Sequence, residues 1–268
     1  MTVVKKLTPL VCLLLVSAIL VGCSALNKAG SNSDKPAFDL SGSWEVVATS
    51  NSPAHTGAVS YVEFNVTQQG NGNISAPVQE FILVNRSTSA LGNCFGAVPG
   101  SPQGNITATV GVDNIQGTFT ETGSTGSAPF SINAPLSSAT TFSGNYSPMQ
   151  STGIIPGGCI DAGSYVATKA APLAGTYTGT LTYPDGSVET MSLTATQDSA
   201  YNLTVTGTAS GGNSDGPINL TGKVTGNLAQ LNNSTNTLPL FAWWDASTNH
   251  KLYIIDNNSY LYGSLGRQ

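Results

Sequence analysis

From Phe38 onward, apolar and polar residues alternate with a period of two, and the pattern is written twice. Leu203, Val205, Gly207 and Ala209 alternate with Thr204, Thr206 and Thr208; Ile218, Leu220, Gly222 and Val224 alternate with Asn219, Thr221 and Lys223. Successive side chains of a strand point to opposite faces, so this period belongs to strands with one buried and one wet face. No stretch beyond the first two dozen residues sustains a helical period. Turn residues punctuate the runs: Gly70-Asn71-Gly72, Asp113-Asn114, Pro184-Asp185-Gly186, Thr225-Gly226 and Asp256-Asn257.

The duplication shows in ordered matches. Leu40-Ser41-Gly42-Ser43-Trp44 answers to Leu173-Ala174-Gly175-Thr176-Tyr177. Phe64, Val66, Thr67, Gln68, Asn73 and Ile74 fall opposite Leu193, Ala195, Thr196, Gln197, Asn202 and Leu203 without a gap, and Ser164-Tyr165-Val166 answers to Ser259-Tyr260-Leu261. Lys169-Ala170-Ala171-Pro172 is the seam, giving a first β domain over 38–170 and a second over 171–268. Units of about 95 to 130 residues can each hold a core. The expected fold is all-β: two repeated antiparallel meanders of about eight strands, each an up-and-down barrel or, alternatively, a β-sandwich. Near-continuous hairpins favour the barrel.

The N-terminus carries a different signal. Lys5 and Lys6 precede an apolar core from Leu10 to Val21, and small residues then lead to Cys23. That core falls short of the roughly 20 apolar residues that span a bilayer, and it fits a secretory signal over 1–22. Leu20-Val21-Gly22-Cys23 resembles the lipobox of bacterial lipoproteins, which implies cleavage before Cys23 and lipidation of its thiol. Otherwise Cys23 is incidental to an ordinary signal. Two or more acyl chains, at about 0.8 kcal/mol per buried methylene, make such an anchor effectively permanent. Ser24, rather than Asp, after the cysteine resembles the outer-membrane sorting pattern if the host is Gram-negative. Residues 23–37 then form a flexible tether.

Loss of Lys5 and Lys6 takes nine basic residues to seven against fourteen acidic, a net charge near −7. Nucleic acid and anionic headgroups, which need a basic surface, are thereby disfavoured as partners. Charged residues make up 9% of the chain, against roughly 25% in ordinary soluble proteins, so Ser, Thr, Asn and Gly must cover the surface. Apart from Cys12 in the signal and Cys23, only Cys94 and Cys159 remain, and in an oxidising compartment a disulfide is their expected state. Closing that loop would remove roughly 4 kcal/mol of denatured-state freedom. In a meander the first, third, fifth and seventh turns share one end, which places both cysteines and His55 together.

The opening Gly-x-Trp of the first copy and Gly-x-Tyr of the second, each followed by a meander, resemble the calycin group of lipocalins and avidins, and the small barrels of surface lipoproteins. The resemblance implies a barrel able to hold a small ligand and transfers no site residues.

Candidate chemistry is sparse. His55 and His250 sit one per copy in loop contexts, without the further ligands a metal needs. Gly212-Asn213-Ser214-Asp215-Gly216 matches Gly-x-Ser-x-Gly, but alternating strands flank it where a nucleophile elbow needs a following helix. Glu45, Glu63 and Glu121 fall on strands; surface positions are expected, and paired acid–base chemistry would need two at close range. Leu238 to Trp244 is the most apolar segment: Leu240, Ala242 and Trp244 share one face, Phe241 and Trp243 the other. The second face needs a cover, from the other copy, a partner or a stacked sugar ring. His55, Trp243 and Trp244 are accordingly candidates for a ligand or partner surface. The Asn-x-Ser/Thr triplets read as polar strand faces.

These features lead to an exported, lipid-anchored envelope protein acting as a binding or interaction module without catalytic residues, cofactor or metal. Its possible partners are the membrane through the anchor, a small apolar ligand, a glycan or an envelope protein. A glycan-acting enzyme and a purely structural lipoprotein with filled barrels are the alternatives. An interior cavity of roughly 300 Å³ or more would mark a ligand-binding barrel.

Overall fold

The computed structural model describes residues 35–51, 56–57, 59–81, 104–123, 126–148, 162–183, 185–211, 215–233, 240–246, 249–255 and 261–268. Among them there are sixteen strands and no helix. The first eight are β1 (Gly42–Ser50), β2 (Val59–Val66), β3 (Asn73–Phe81), β4 (Gly104–Val110), β5 (Asn114–Gly123), β6 (Gly126–Pro135), β7 (Thr141–Pro148) and β8 (Gly163–Lys169). The second eight are β9 (Gly175–Thr182), β10 (Val188–Gln197), β11 (Asn202–Ser210), β12 (Gly216–Thr225), β13 (Leu228–Asn233), β14 (Leu240–Asp245), β15 (Lys251–Ile255) and β16 (Leu261–Arg267). Each set pairs in chain order and closes first strand to last, as two antiparallel up-and-down barrels. Closure leaves neither barrel a free edge.

The alternation dictates what fills them. In β3, Ile74, Ala76, Val78 and Glu80 are buried while Asn73, Ser75 and Pro77 are exposed. In β10, Glu189, Met191, Leu193 and Ala195 are buried between exposed neighbours.

Register confirms the ungapped part of the repeat. Trp44 stands opposite Phe64 and Val62 opposite Glu80, as Tyr177 stands opposite Leu193 and Met191 opposite Ala209. The tail match is corrected by three residues. Trp44 pairs with Lys169 and Tyr177 with Arg267, which sets Ser164–Val166 against Tyr262–Ser264 and not against Ser259–Leu261. With this register, Ala48 opposite Tyr165 in the first barrel corresponds to Leu181 opposite Gly263 in the second. A small–large pair has become a large–small pair, so the bulky side chain comes from β9 in place of β8.

Both barrels are stoppered at the end where the chain enters. The Trp44 indole N–H donates to the Leu40 carbonyl at 2.7 Å, and the Tyr177 hydroxyl to the Leu173 carbonyl at 2.8 Å. The Leu40 N–H donates to Gln68 Oε1 at 2.9 Å, and the Leu173 N–H to Gln197 Oε1 at 2.8 Å. Lys169 lies over the Trp44 ring and Arg267 over the rings of Tyr177 and Trp244, each cation 5.6–5.9 Å from a ring centre.

Candidate functional site

Opposite the stoppered end, the connections β1–β2, β3–β4, β5–β6 and β7–β8 all join strand ends at one mouth of the first barrel. Beneath that mouth the barrel encloses about 80 Å³ open to the centres of water-sized molecules, against about 30 Å³ in the second barrel. Neither reaches the size of a drug-like ligand pocket. The second is packed nearly solid by Leu, Val, Ile and Met. The first has room for roughly five or six water-sized atoms.

The cavity of the first barrel is lined mainly by apolar side chains, among them Val62, Phe64, Val78, Ile106, Ile132 and Phe142. Near the mouth stand Ser60, Glu80, Glu121, Tyr146 and Tyr165. Strand parity explains the collar: Ser60 is the first inward position of β2 and Glu80 the last of β3, in line with Ile74, Ala76 and Val78. Glu121 shares its face with Phe119, two strands from Glu80. Tyr165 is 5% exposed, and its hydroxyl finds no hydrogen-bond partner. Burial pushes its pKa up to about 12, so it stays a neutral donor and acceptor. In the second barrel Glu80 is replaced by Ala209 and Tyr165 by Gly263, while Glu189, in the place of Ser60, is buried and accepts from the Tyr183 hydroxyl, so each barrel carries its own polar groups at this end.

A second polar group lies outside the barrels, in the seam between them. Tyr61 and Phe81 of the first barrel pack with Leu228, Phe241, Trp243 and Ile255 of the second. Trp243 lies 4.5 Å from the Tyr61 ring centre and 5.6 Å from that of Tyr253. Around this apolar patch run hydrogen bonds between the barrels. The Trp243 indole N–H donates to Glu45 Oε2 at 2.8 Å, the Asn227 N–H to Glu63 Oε2 at 2.7 Å, and the Asn65 amide to the Val224 carbonyl at 2.7 Å. Glu45 and Glu63 are directly opposed on β1 and β2, and Asp245 lies at the same seam; all three are almost fully buried. Desolvation raises the pKa of Glu45 and lifts that of Glu63 well above the usual carboxylate range, with the Glu45 charge adding to the latter. Burial first, then the charges of Glu45 and Asp245, push Tyr61 up to about 12.

The candidates from sequence fall as follows. Trp243 and Trp244 offer no open ligand or partner surface, being 2% and 7% exposed. Trp243 is covered by the first barrel, whereas Trp244 points into the second barrel with Leu240 and Ala242 and rests against Tyr177. The expected surface positions of Glu45 and Glu63 are likewise corrected: they face outward, but the second barrel covers them. Glu121 points inward, and Glu80 was missed, although parity with Val78 marks it as an inward carboxylate. His250 is exposed on a turn, at φ 51°. Cys23, Cys94, Cys159, His55 and Ser214 lie outside the described residues. Among the described residues no group of three or more His, Cys, Asp or Glu is placed to hold a metal ion.

No protein-family model and no curated protein matches the chain.

Proposed function

We propose that the chain is an exported envelope protein, lipid-anchored through Cys23, whose first barrel is a non-catalytic binding module and whose second barrel is its packed support. The difference between two copies of one fold supports this reading. One copy has lost most of its interior space, while the other retains it beneath its longest connections. Loops on a rigid barrel are where recognition is usually built. The chain enters the first barrel at its stoppered end, by Leu40, opposite the mouth. A Cys94–Cys159 disulfide would tie the β3–β4 connection to the β7–β8 connection across that mouth. At about 80 Å³ the cavity falls short of the roughly 300 Å³ that marks a ligand-binding barrel, so the binding role rests on the connections at the mouth rather than on the interior.

Two observations test the reading. Replacing Cys23→Ala should move the protein from the membrane to the soluble fraction; unchanged retention would remove the anchor. Native mass spectrometry of the protein from its own host should show a retained small molecule on the chain, lost on denaturation. A bare chain that also takes up no small organic probe would leave the purely structural alternative.

The presence of Glu80 and Glu121 in one cavity favours a second reading, an enzyme acting on envelope glycans through paired carboxyls. The apolar lining of the cavity argues for binding instead, since a sugar presents hydroxyls on every side. Release of reducing ends from envelope glycan, abolished by Glu121→Gln, would establish the enzyme.

A further inference from the structure

We propose that the seam is a proton-operated latch: when Glu45 and Glu63 both ionise, the two barrels part about the connection between β8 and β9, each still folded, and uncover the aromatic face around Trp243. The latch is independent of what the first barrel binds.

A single stretch of chain joins the barrels. The Ala170 N–H donates to the Ser43 carbonyl of the first barrel at 2.8 Å, and the Leu173 N–H to Gln197 Oε1 of the second at 2.8 Å. Between these two moorings lie only Ala171 and Pro172, both exposed. Each barrel closes on itself and fills its own core, so neither needs the other to pair its strands. Parting therefore costs only what the seam holds.

The seam holds an apolar patch with two carboxyl groups set beside it. Phe81, Leu228, Phe241, Trp243 and Ile255 pack there, while Glu45 and Glu63 oppose each other across β1 and β2, nearly sealed from water. Donors are too few for two charges: Glu45 accepts from the Trp243 indole and Glu63 Oε2 from the Asn227 N–H, but Glu63 Oε1 has no donor. One proton shared by the pair fills that place. A second negative charge finds neither water nor a counter-ion. Among the described residues, the cations on the strands that meet here are Lys223 on β12 and Lys251 on β15, and both are exposed. The other titratable groups are Tyr61, Tyr253 and Asp245; Tyr61 is pushed up to about 12 and stays neutral, and Asp245 adds negative charge beside Glu45. Parting returns both carboxylates to water. Burial raises the folded pKa of Glu63, so the latch is fully closed below pH 4.5 and loosens as pH climbs through the raised value. The protons thus bias an equilibrium between two arrangements of the same folded units.

The three tryptophans distinguish parting from unfolding. Trp44 lies in the core of the first barrel and Trp244 in that of the second, and only Trp243 belongs to the seam. The test is acrylamide quenching of tryptophan emission from the detergent-solubilised full chain, with far-UV circular dichroism, between pH 5 and pH 9. The expected result is emission shielded at pH 5 and about one-third of it quenchable at pH 9, with the β signal unchanged and full recovery on return to pH 5. Trp243→Phe should remove the quenchable fraction. Glu63→Gln, whose amide can stand in for the protonated carboxyl, should keep the emission shielded to pH 9, and Glu45→Gln is the second route should that variant fail to fold. Quenching that is the same at both pH values would overturn the latch. Exposure of all three tryptophans together with loss of the β signal would overturn it too, since that is unfolding. So would a rise that survives in Trp243→Phe, or in whichever of the two glutamine variants fold.

Discussion

Glu45 and Glu63 stand directly opposite each other on β1 and β2, and both are sealed beneath the second barrel. Among the described residues, no Lys or Arg is hydrogen-bonded to either. Their hydrogen-bond partners are the Trp243 indole and the Asn227 backbone and side chain from the second barrel, and each other. Two carboxylates so close cannot both ionise cheaply away from water. Glu63 Oε1 has no donor when both are charged, and one proton held between the two side chains removes that deficit. The seam is therefore built for one carboxyl and one carboxylate, with Tyr61, Tyr253 and Asp245 as the neighbouring titratable groups.

Stability should consequently fall as pH rises. Glu63 has its folded pKa well above 4.5, so its contribution is full below pH 4.5 and is lost as pH climbs through the folded value. Asp39 and Asp198 oppose this at the acid end: turn hydrogen bonds hold both below 3.8, so their contribution disappears only as pH drops through those lowered values. Thermal unfolding from pH 3 to 9 should show a maximum near pH 4–5. Glu63→Gln, which can still accept from Asn227, should raise the Tm at pH 8 and leave it nearly unchanged at pH 4.5. A parent Tm that climbs from pH 5 to 8 would count against a shared proton.

Gly226 turns β12 into β13 at the same seam. Its φ is +60°, and a Cβ there would collide with the Glu63 carboxylate and lie 2.5 Å from the Trp44 carbonyl. Gly186 also has a positive φ, +85°, but a Cβ there meets nothing within 4 Å. Gly186→Ala should therefore cost only the left-handed backbone, about 1–2 kcal/mol. Gly226→Ala should cost clearly more, because the barrels must part to admit the methyl. Chemical denaturation of both variants checks the difference, and equal losses would mean that the seam yields freely.

Trp243 joins the barrels both by packing and by its indole N–H. Trp243→Ala should cost about 3–5 kcal/mol and leave Glu45 without its donor, worth a further penalty. Trp243→Phe keeps most of the packing and should lose about 1–3 kcal/mol. Since each barrel has its own core, Trp243→Ala should also split one urea transition into two. A single unshifted transition would show that the seam contributes little.

The strands, their count and the pairing of β1 to β3 with β9 to β11 were legible in the sequence, because period and turn residues are local signals. Trp243 and Trp244 show the limit. Alternation assigns them to opposite faces, correctly, yet nothing local says which outward face a second barrel will cover. Glu45 and Glu63 flank the inward Trp44 and Phe64, so their outward direction was readable, while their burial depends on how two barrels meet. The tail of the repeat was misaligned because Ser-Tyr-Val against Ser-Tyr-Leu is a match of common residues. Lys169 and Arg267, each the cation over its barrel's aromatic plug, carried the true register. Glu80 was overlooked because a charge inside an apolar alternation reads as an interruption rather than as a position.

The stopper offers a test of the duplication as energetics. Gln68 uses both ends of its amide: Oε1 accepts from the Leu40 N–H, and Nε2 donates to the Phe38 carbonyl at 3.0 Å. Gln197 accepts from the Leu173 N–H in the same position of the second barrel. Either N–H would be left without its acceptor in an alanine variant, at a cost of about 1–3 kcal/mol. Gln68→Ala should lower the stability of the first barrel and Gln197→Ala that of the second, by similar amounts. In the double variant the losses should add to within about 0.5 kcal/mol, since the two sites share no partner. Amide hydrogen exchange reads each site separately: faster exchange at Leu40 in one variant and at Leu173 in the other. Loss of protection at both sites from a single substitution would mean that the two stoppers are coupled through the seam.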